Sequence, residues 1–147
     1  MPDTHVEPQI KIVRTVPPAE PVPLQRRPAY QAYRILHVGF TVLPILAGLD
    51  KFFQWMTQWE MYLSTPVERL LPIPPQTFMR ISGVIEIAAG ILVAIAPRIG
   101  AWVVAAWLLG ITINLVLPPG FYDIALRDFG LMLAAISLGL MARRYHK

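Results

Sequence analysis

Four long apolar stretches dominate this chain and leave it one class of fold. They run from about Tyr33 to Trp59, Phe78 to Ala96, Ile99 to Leu117 and Phe121 to Ala142. About 20 residues at ~1.5 Å per residue match a hydrocarbon slab of about 30 Å. The third stretch holds 19 residues without a charge and stops at Pro118-Pro119-Gly120. Runs this long and this uniformly apolar are not barrel strands, and in lipid only a helix satisfies every backbone polar group inside its own segment. The expectation is an all-α polytopic membrane protein, a bundle of four transmembrane helices. The composition agrees: 55% hydrophobic and 15% charged, too little charge to cover a water-soluble domain. Pro44, inside the first stretch, is compatible with a kinked membrane helix whose neighbours satisfy the freed carbonyl.

The chain reads as three parts. Residues 1–32 form a proline-rich arm, with seven of the fifteen prolines in residues 1–28. Proline fixes φ and lacks an N–H, so the arm is expected to be extended and to lie on a partner. Residues 33–142 form the membrane domain, and 143–147 a basic tail. Lys and Arg are divided nine to four, with Lys11, Arg14, Arg26, Arg27, Arg34, Arg98, Arg143, Arg144 and Lys147 on the side of the termini. Lys51, Arg69, Arg80 and Arg127 fall on the other. Positive charge is retained in the cytoplasm, so both termini are expected there.

Several functions are excluded by what the chain contains. It has no cysteine, which removes disulfides, thiolate catalysis and iron–sulfur ligation together. The net charge of +4 is not gathered into a basic stripe with interleaved aromatics, so no nucleic-acid partner is expected. The first 30 residues hold no uninterrupted apolar core and do not read as a signal peptide. His37 is the only histidine inside a span, too few for bis-histidine haem ligation. No nucleophile arrangement, phosphate-cradling loop or metal-ligand spacing occurs, so no catalytic residue and no metal are assigned.

The informative residues are polar groups inside the spans: Asp50, Lys51, Glu86, Asn114, Arg127 and Asp128. With the assigned topology all fall from mid-membrane to the outer half, with Arg80 near the outer boundary. A lone charge at the bilayer centre costs at least ~2.5–3.5 kcal/mol. Asp50, Glu86 and Asp128 balance Lys51, Arg80 and Arg127, so an internally neutral cluster facing the bundle interior is expected. Glu86 lies near the centre of its span. It reads either as an ion-pair partner of Arg127 or Lys51 that fixes helix register, or as a proton-relay or quinone-binding acid. The first reading is favoured by the charge balance. Asp123 and Arg127 stand at i, i+4 and can pair along one helix. Asn114 reads as interhelical glue.

Trp55, Trp59 and Tyr62, at i, i+4, i+7, are expected on one face of a short surface helix as interfacial aromatics. Small residues recur at four-residue spacing in Gly90/Ala94, Ala101/Ala105, Ala106/Gly110, Gly130/Ala134 and Ala135/Gly139, which predicts close helix packing.

Three elements then carry a resemblance. Arg34-Ile-Leu-His-Val-Gly-Phe running to Ala47-Gly48-Leu49-Asp50-Lys51-Phe52, the Gly83–Gly90 segment around Glu86, and Ile124-Ala-Leu-Arg127-Asp128-Phe-Gly resemble successive helices of the DoxX-like four-helix membrane proteins. The resemblance covers residues 33–142, with Arg34, Lys51, Glu86, Arg127 and Asp128 as the matching landmarks. It implies a bacterial cytoplasmic (inner) membrane protein associated with redox systems, that family including subunits of a thiosulfate:quinone oxidoreductase. The expected function is an accessory subunit of a larger electron-transfer complex, respiratory or photosynthetic, with no activity of its own. The alternative is a stand-alone quinone-linked oxidoreductase or small-solute transporter using the Glu86/Arg127 cluster. Expected partners are the lipid bilayer and other membrane subunits. No cofactor is expected to be bound by this chain alone, with contact to quinone or lipid left open.

Overall fold

A computed structural model describes residues 23–146, and all regular structure in it is helical. The proline-rich arm up to residue 22, with its expected seat on a partner, and the final Lys147 lie outside the described residues. Five helices follow a 3-10 turn at Leu24–Arg26: α1 (Pro28–Phe53), α2 (Thr65–Leu70), α3 (Pro75–Ile95), α4 (Pro97–Val116) and α5 (Tyr122–Tyr145). α1, α3, α4 and α5 are long and apolar enough to cross a membrane. Across their most apolar windows only 17% to 39% of residues are buried within the molecule. Their outward faces carry side chains such as Ile35, Ile95 and Leu126, each at least 70% exposed. Such faces suit an apolar medium around the bundle, as in a membrane protein.

Proline sets most helix starts. Pro28, Pro66, Pro75 and Pro97 each occupy the first turn of their helix, where the missing N–H is unneeded and the fixed φ is already helical. The spans therefore begin earlier than their hydropathy suggests: α1 at Pro28 instead of Tyr33, α3 at Pro75 instead of Phe78, and α4 at Pro97 instead of Ile99. α1 also stops early, at Phe53 instead of Trp59. Gln54 takes a left-handed conformation (φ 53°) and returns its N–H to the Asp50 carbonyl. At the far end α5 runs through Tyr145, so most of the basic tail is helical. The α4–α5 turn needs Gly120, whose φ of 106° strains any side-chain-bearing residue.

Packing is pairwise. α1 lies along α3 and α4 along α5, with α3 and α4 joining the two pairs. Gly48 and Gly83 bring α1 and α3 backbone to backbone: a Cβ on Gly48 would stand 2.5 Å from the Gly83 carbonyl oxygen, and one on Gly83 2.6 Å from that of Gly48. This pair is not among the four-spaced small residues. Of those, Ala101/Ala105 and Ala135/Gly139 are buried between α4 and α5, and Gly90 packs on α1. A Cβ on Gly110, which borders the cavity described below, or on Gly130 would meet nothing within 4 Å, so neither glycine makes a close helix contact.

The two ends of the bundle differ. At the end where α1 starts and α5 finishes, Tyr33, Phe40, Val93, Ala101, Val104, Ala135, Leu138 and Ala142 form one solid core. Tyr145 closes it against Tyr30 and Tyr33, with ring centroids 5.6 Å apart in both contacts. Arg98 reaches the last turns of α5, donating to the Ala142 and Arg143 carbonyls, a cation placed on orphan helix-end acceptors. Towards the opposite end, which carries the α1–α3 loop, the helix pairs separate around a cavity.

Candidate functional site

The cavity has a volume of about 630 Å³ and is walled by all four long helices and the α1–α3 loop. That volume falls in the range of small-molecule sites, ~300–1,000 Å³. Its lining is mostly apolar or aromatic, including Phe40, Leu43, Phe78, Trp107, Leu108 and Leu131. The polar exceptions are few, and Lys51 and Glu86 are central among them.

Lys51 Nζ lies 2.6 Å from Glu86 Oε2, with both residues under 10% exposed. Gly83 makes this reachable, because the Lys51 stem runs against the space where a Cβ would stand. Trp107 donates its indole N–H to Glu86 Oε1 at 3.2 Å. The Lys51 ammonium sits 3.8 Å from the centre of the Trp59 ring, a cation–π contact. Each oxygen of the carboxylate thus has a donor, and the ammonium has an anion and an aromatic face. A buried pair needs this extra satisfaction to offset desolvation.

The other expected cluster members have separate roles. Asp50 turns away from Lys51 and accepts from the backbone N–H groups of Trp55 and Met56 and from the Trp59 indole. It thereby ties the chain as it leaves α1. Arg127 pairs with Asp123 at 3.1 Å along α5, with both side chains mostly exposed. It borders the cavity but does not reach Glu86. Asp128, half-buried, borders the cavity and makes no hydrogen bond among the described residues. Arg80 is exposed and has no ion-pair partner among the described residues. The six charges therefore resolve into one buried pair, one loop anchor, one solitary cation, Arg127 held on the surface by Asp123, and Asp128 left on the cavity wall.

Asn114 does not bridge helices. Its amide accepts from Ser64 N–H at 3.0 Å and donates to the Tyr62 carbonyl at 2.7 Å, so it staples the loop to α4. The aromatic trio also departs from expectation. Trp55 follows the break at Gln54, is 81% exposed and stacks on Phe53 at 4.7 Å. Trp59 and Tyr62 belong to a separate 3-10 turn and lean inward, Tyr62 edge-on to Phe121. No single helical face unites the three, because the left-handed residue ends the helix before Trp55. Together with Leu63 and Val67, Trp59 and Tyr62 roof the cavity.

Sequence reasoning passed over Trp107. The available signal was its position seven residues before Asn114, which puts both on one face of α4. It also missed the role of His37. Pro97 has no N–H for the Val93 carbonyl four residues earlier, and His37 Nε2 donates to that oxygen at 2.9 Å. His37 is therefore a backbone partner across the α1–α3 interface. No family model, curated protein or solved structure matches this chain. Its function has to be argued from the cavity.

Proposed function

We propose that this protein is an accessory subunit of a bacterial membrane electron-transfer complex that holds a neutral, lipid-soluble molecule of the quinone class in the cavity beside Lys51 and Glu86. One observation carries the reading: a ~630 Å³ apolar cavity, inside a bundle apolar on its outside, with a buried ion pair on its wall. An anionic ligand has little to gain here, since Lys51 is already neutralised by Glu86, Arg127 is engaged by Asp123 and Asp128 stands on the wall. A ring with polar substituents and an apolar tail suits the lining. Leu43 and Leu131 both border the cavity and are 57% and 41% exposed, which supports lateral passage of a tail into lipid between α1 and α5. The nine-to-four charge asymmetry supports termini in the cytoplasm and an inner-membrane location. The likeness of the Lys51, Glu86 and Arg127-Asp128 elements to DoxX-like proteins supports the redox setting.

The test is direct binding. Purified protein in lipid nanodiscs, titrated with a decyl-substituted benzoquinone, is expected to bind one equivalent saturably, read as quenching of tryptophan fluorescence. Widening the hole beside the pair with Leu108→Ala should change the affinity. Absence of saturable binding overturns the reading.

A second reading is a purely structural subunit. It is favoured by the completeness with which Lys51, Glu86, Trp59 and Trp107 satisfy one another. It expects tagged protein, drawn from membranes in mild detergent, to carry stoichiometric partner subunits and no extractable quinone. A stand-alone oxidoreductase or transporter built on a Glu86/Arg127 couple has less support, because Arg127 is held by Asp123 on the surface.

A further inference from the structure

The outer seam between α1 and α3 carries a second hollow, apart from the roofed cavity. It is a cleft of about 210 Å³ lined by Arg34, His37, Val38, Thr41 and Val42 of α1 and by Ala94 of α3. The α1 residues recur at i, i+3, i+4, i+7 and i+8, so they form one strip along the helix. Two polar side chains of the strip are already engaged with backbone: His37 donates to the Val93 carbonyl and Thr41 to that of His37. Arg34 is exposed and has no hydrogen-bond or ion-pair partner among the described residues. Helical Cα–Cβ bonds tilt towards the N-terminus, which favours a guanidinium reaching for the end where α1 starts. Tyr30, Tyr33 and Tyr145 cluster at that end, and tyrosine favours a membrane–water boundary. Away from Arg34 the strip turns apolar, with Val38 and Val42 55% and 43% exposed. Val42 lies ~12 Å further along the helix than Arg34. Ala94, small and exposed, leaves the strip an open groove.

Charge complementarity selects the occupant. Arg26, Arg27, Arg34, Arg98, Arg143 and Arg144 share this end of the bundle. All six described carboxylates, from Asp50 to Asp128, belong to the half with the cavity and the α1–α3 loop. We propose that the α1–α3 cleft is a binding site for an anionic phospholipid, with its phosphate on Arg34 and one acyl chain along Val38 and Val42. A guanidinium meets phosphate oxygens with two parallel donors, and the surrounding cations add a field that favours net negative charge. A zwitterionic headgroup brings an ammonium that meets no described carboxylate at this end. A soluble anion would take the guanidinium and leave the apolar strip uncovered. The site is separate from the roofed cavity and stands whether or not that cavity holds a quinone.

The experiment counts lipids on the full chain, purified in mild detergent, by native mass spectrometry during titration with dioleoyl phosphatidylglycerol or dioleoyl phosphatidylcholine. The first phosphatidylglycerol is expected to bind about fivefold more tightly than the first phosphatidylcholine, the worth of one well-placed cation. Arg34→Gln should bring that ratio near unity and leave later equivalents as in the wild type. Ala94→Leu changes no charge and fills the groove at an exposed position, so it should weaken the first phosphatidylglycerol as well. Arg144→Gln removes an exposed cation from the same end but outside the cleft, and should keep most of the preference. Inorganic phosphate in millimolar excess should not displace the bound lipid. Equal affinity for the two lipids in the wild type, or equal losses from Arg34→Gln and Arg144→Gln, overturns the site in favour of diffuse attraction. Displacement by inorganic phosphate overturns the lipid assignment in favour of a soluble anion.

Discussion

Lys51 and Glu86 answer each other so closely that the effect of changing one depends on the other. Glu86→Gln strands an ammonium in an apolar wall, a loss of about 3–5 kcal/mol for a buried pair. The thermal midpoint of the detergent-solubilised protein should fall clearly. Adding Lys51→Met to Glu86→Gln should recover most of that fall, because a pair replaced by apolar groups of similar size is often neutral or stabilising. If the double variant is no more stable than Glu86→Gln alone, the pair is not the source of the loss. Ser64 offers the opposite case. It is 1% exposed and its hydroxyl has no partner among the described residues, while its backbone N–H is bonded to Asn114. Removing an unsatisfied buried hydroxyl relieves a desolvation cost of about 1–3 kcal/mol. Ser64→Ala should keep or raise the thermal midpoint, and a marked drop would show that the hydroxyl is engaged.

The helices are held by glycine and proline in positions with distinct jobs. Gly48 and Gly83 let α1 and α3 touch backbone to backbone, with each other's carbonyl oxygen where a Cβ would go. Such an approach supplies the dispersion contacts and weak C–H···O bonds that membrane helices use in place of a hydrophobic drive. Gly48→Ala and Gly83→Ala should each push the pair apart, pull Lys51 off Glu86 and lower the yield of folded protein on size-exclusion chromatography. Gly110→Ala and Gly130→Ala, where nothing stands within 4 Å, should leave that yield unchanged or improved, since Gly costs helix stability relative to Ala. The contrast between the two sets is the check: similar losses in all four would mean that helix propensity and not close approach governs them. The loop is an element of the same kind. Asp50 anchors its start and Asn114 its middle, so the roof over the cavity is tied to α1 and α4 separately.

At the scale of the whole molecule, a solid end and a hollow end share one bundle. The start of α1 and the end of α5 sit at the solid end, where Tyr30, Tyr33 and Tyr145 cluster, and the roofed cavity lies at the other. The proposed orientation places the roof outside the cytoplasm. Because the chain has no cysteine, single cysteines can report it without background. Thr57→Cys, in the loop, should react with a membrane-impermeant maleimide added to intact cells, and Arg144→Cys only after the cells are opened. The reverse pattern would invert the orientation.

The four apolar helices were legible in the sequence, because hydropathy and length are local quantities and proline marks helix starts wherever it occurs. Which charged residues fall within or beside the apolar helices was legible for the same reason. The Asp123–Arg127 pair was legible too, because i, i+4 spacing is local, but the partner of Glu86 was not. Whether Glu86 meets Lys51 or Arg127 depends on how far each helix is rotated and shifted, and that is set by the Gly48–Gly83 contact between residues 35 positions apart. The early end of α1 was hidden as well: a left-handed Gln54, backed by Asp50 accepting the next N–H groups, overrode a helical spacing of aromatics that looked continuous. By itself the sequence determined an all-helical chain with four apolar helices of membrane-crossing length and charges placed inside them. Only the tertiary structure decided that Glu86 takes Lys51 as its partner, that Asp50 anchors the loop, and that a cavity opens beside them. Hydrophobic pattern is a property of each segment, while a cavity is a property of how segments fail to fill the space between them.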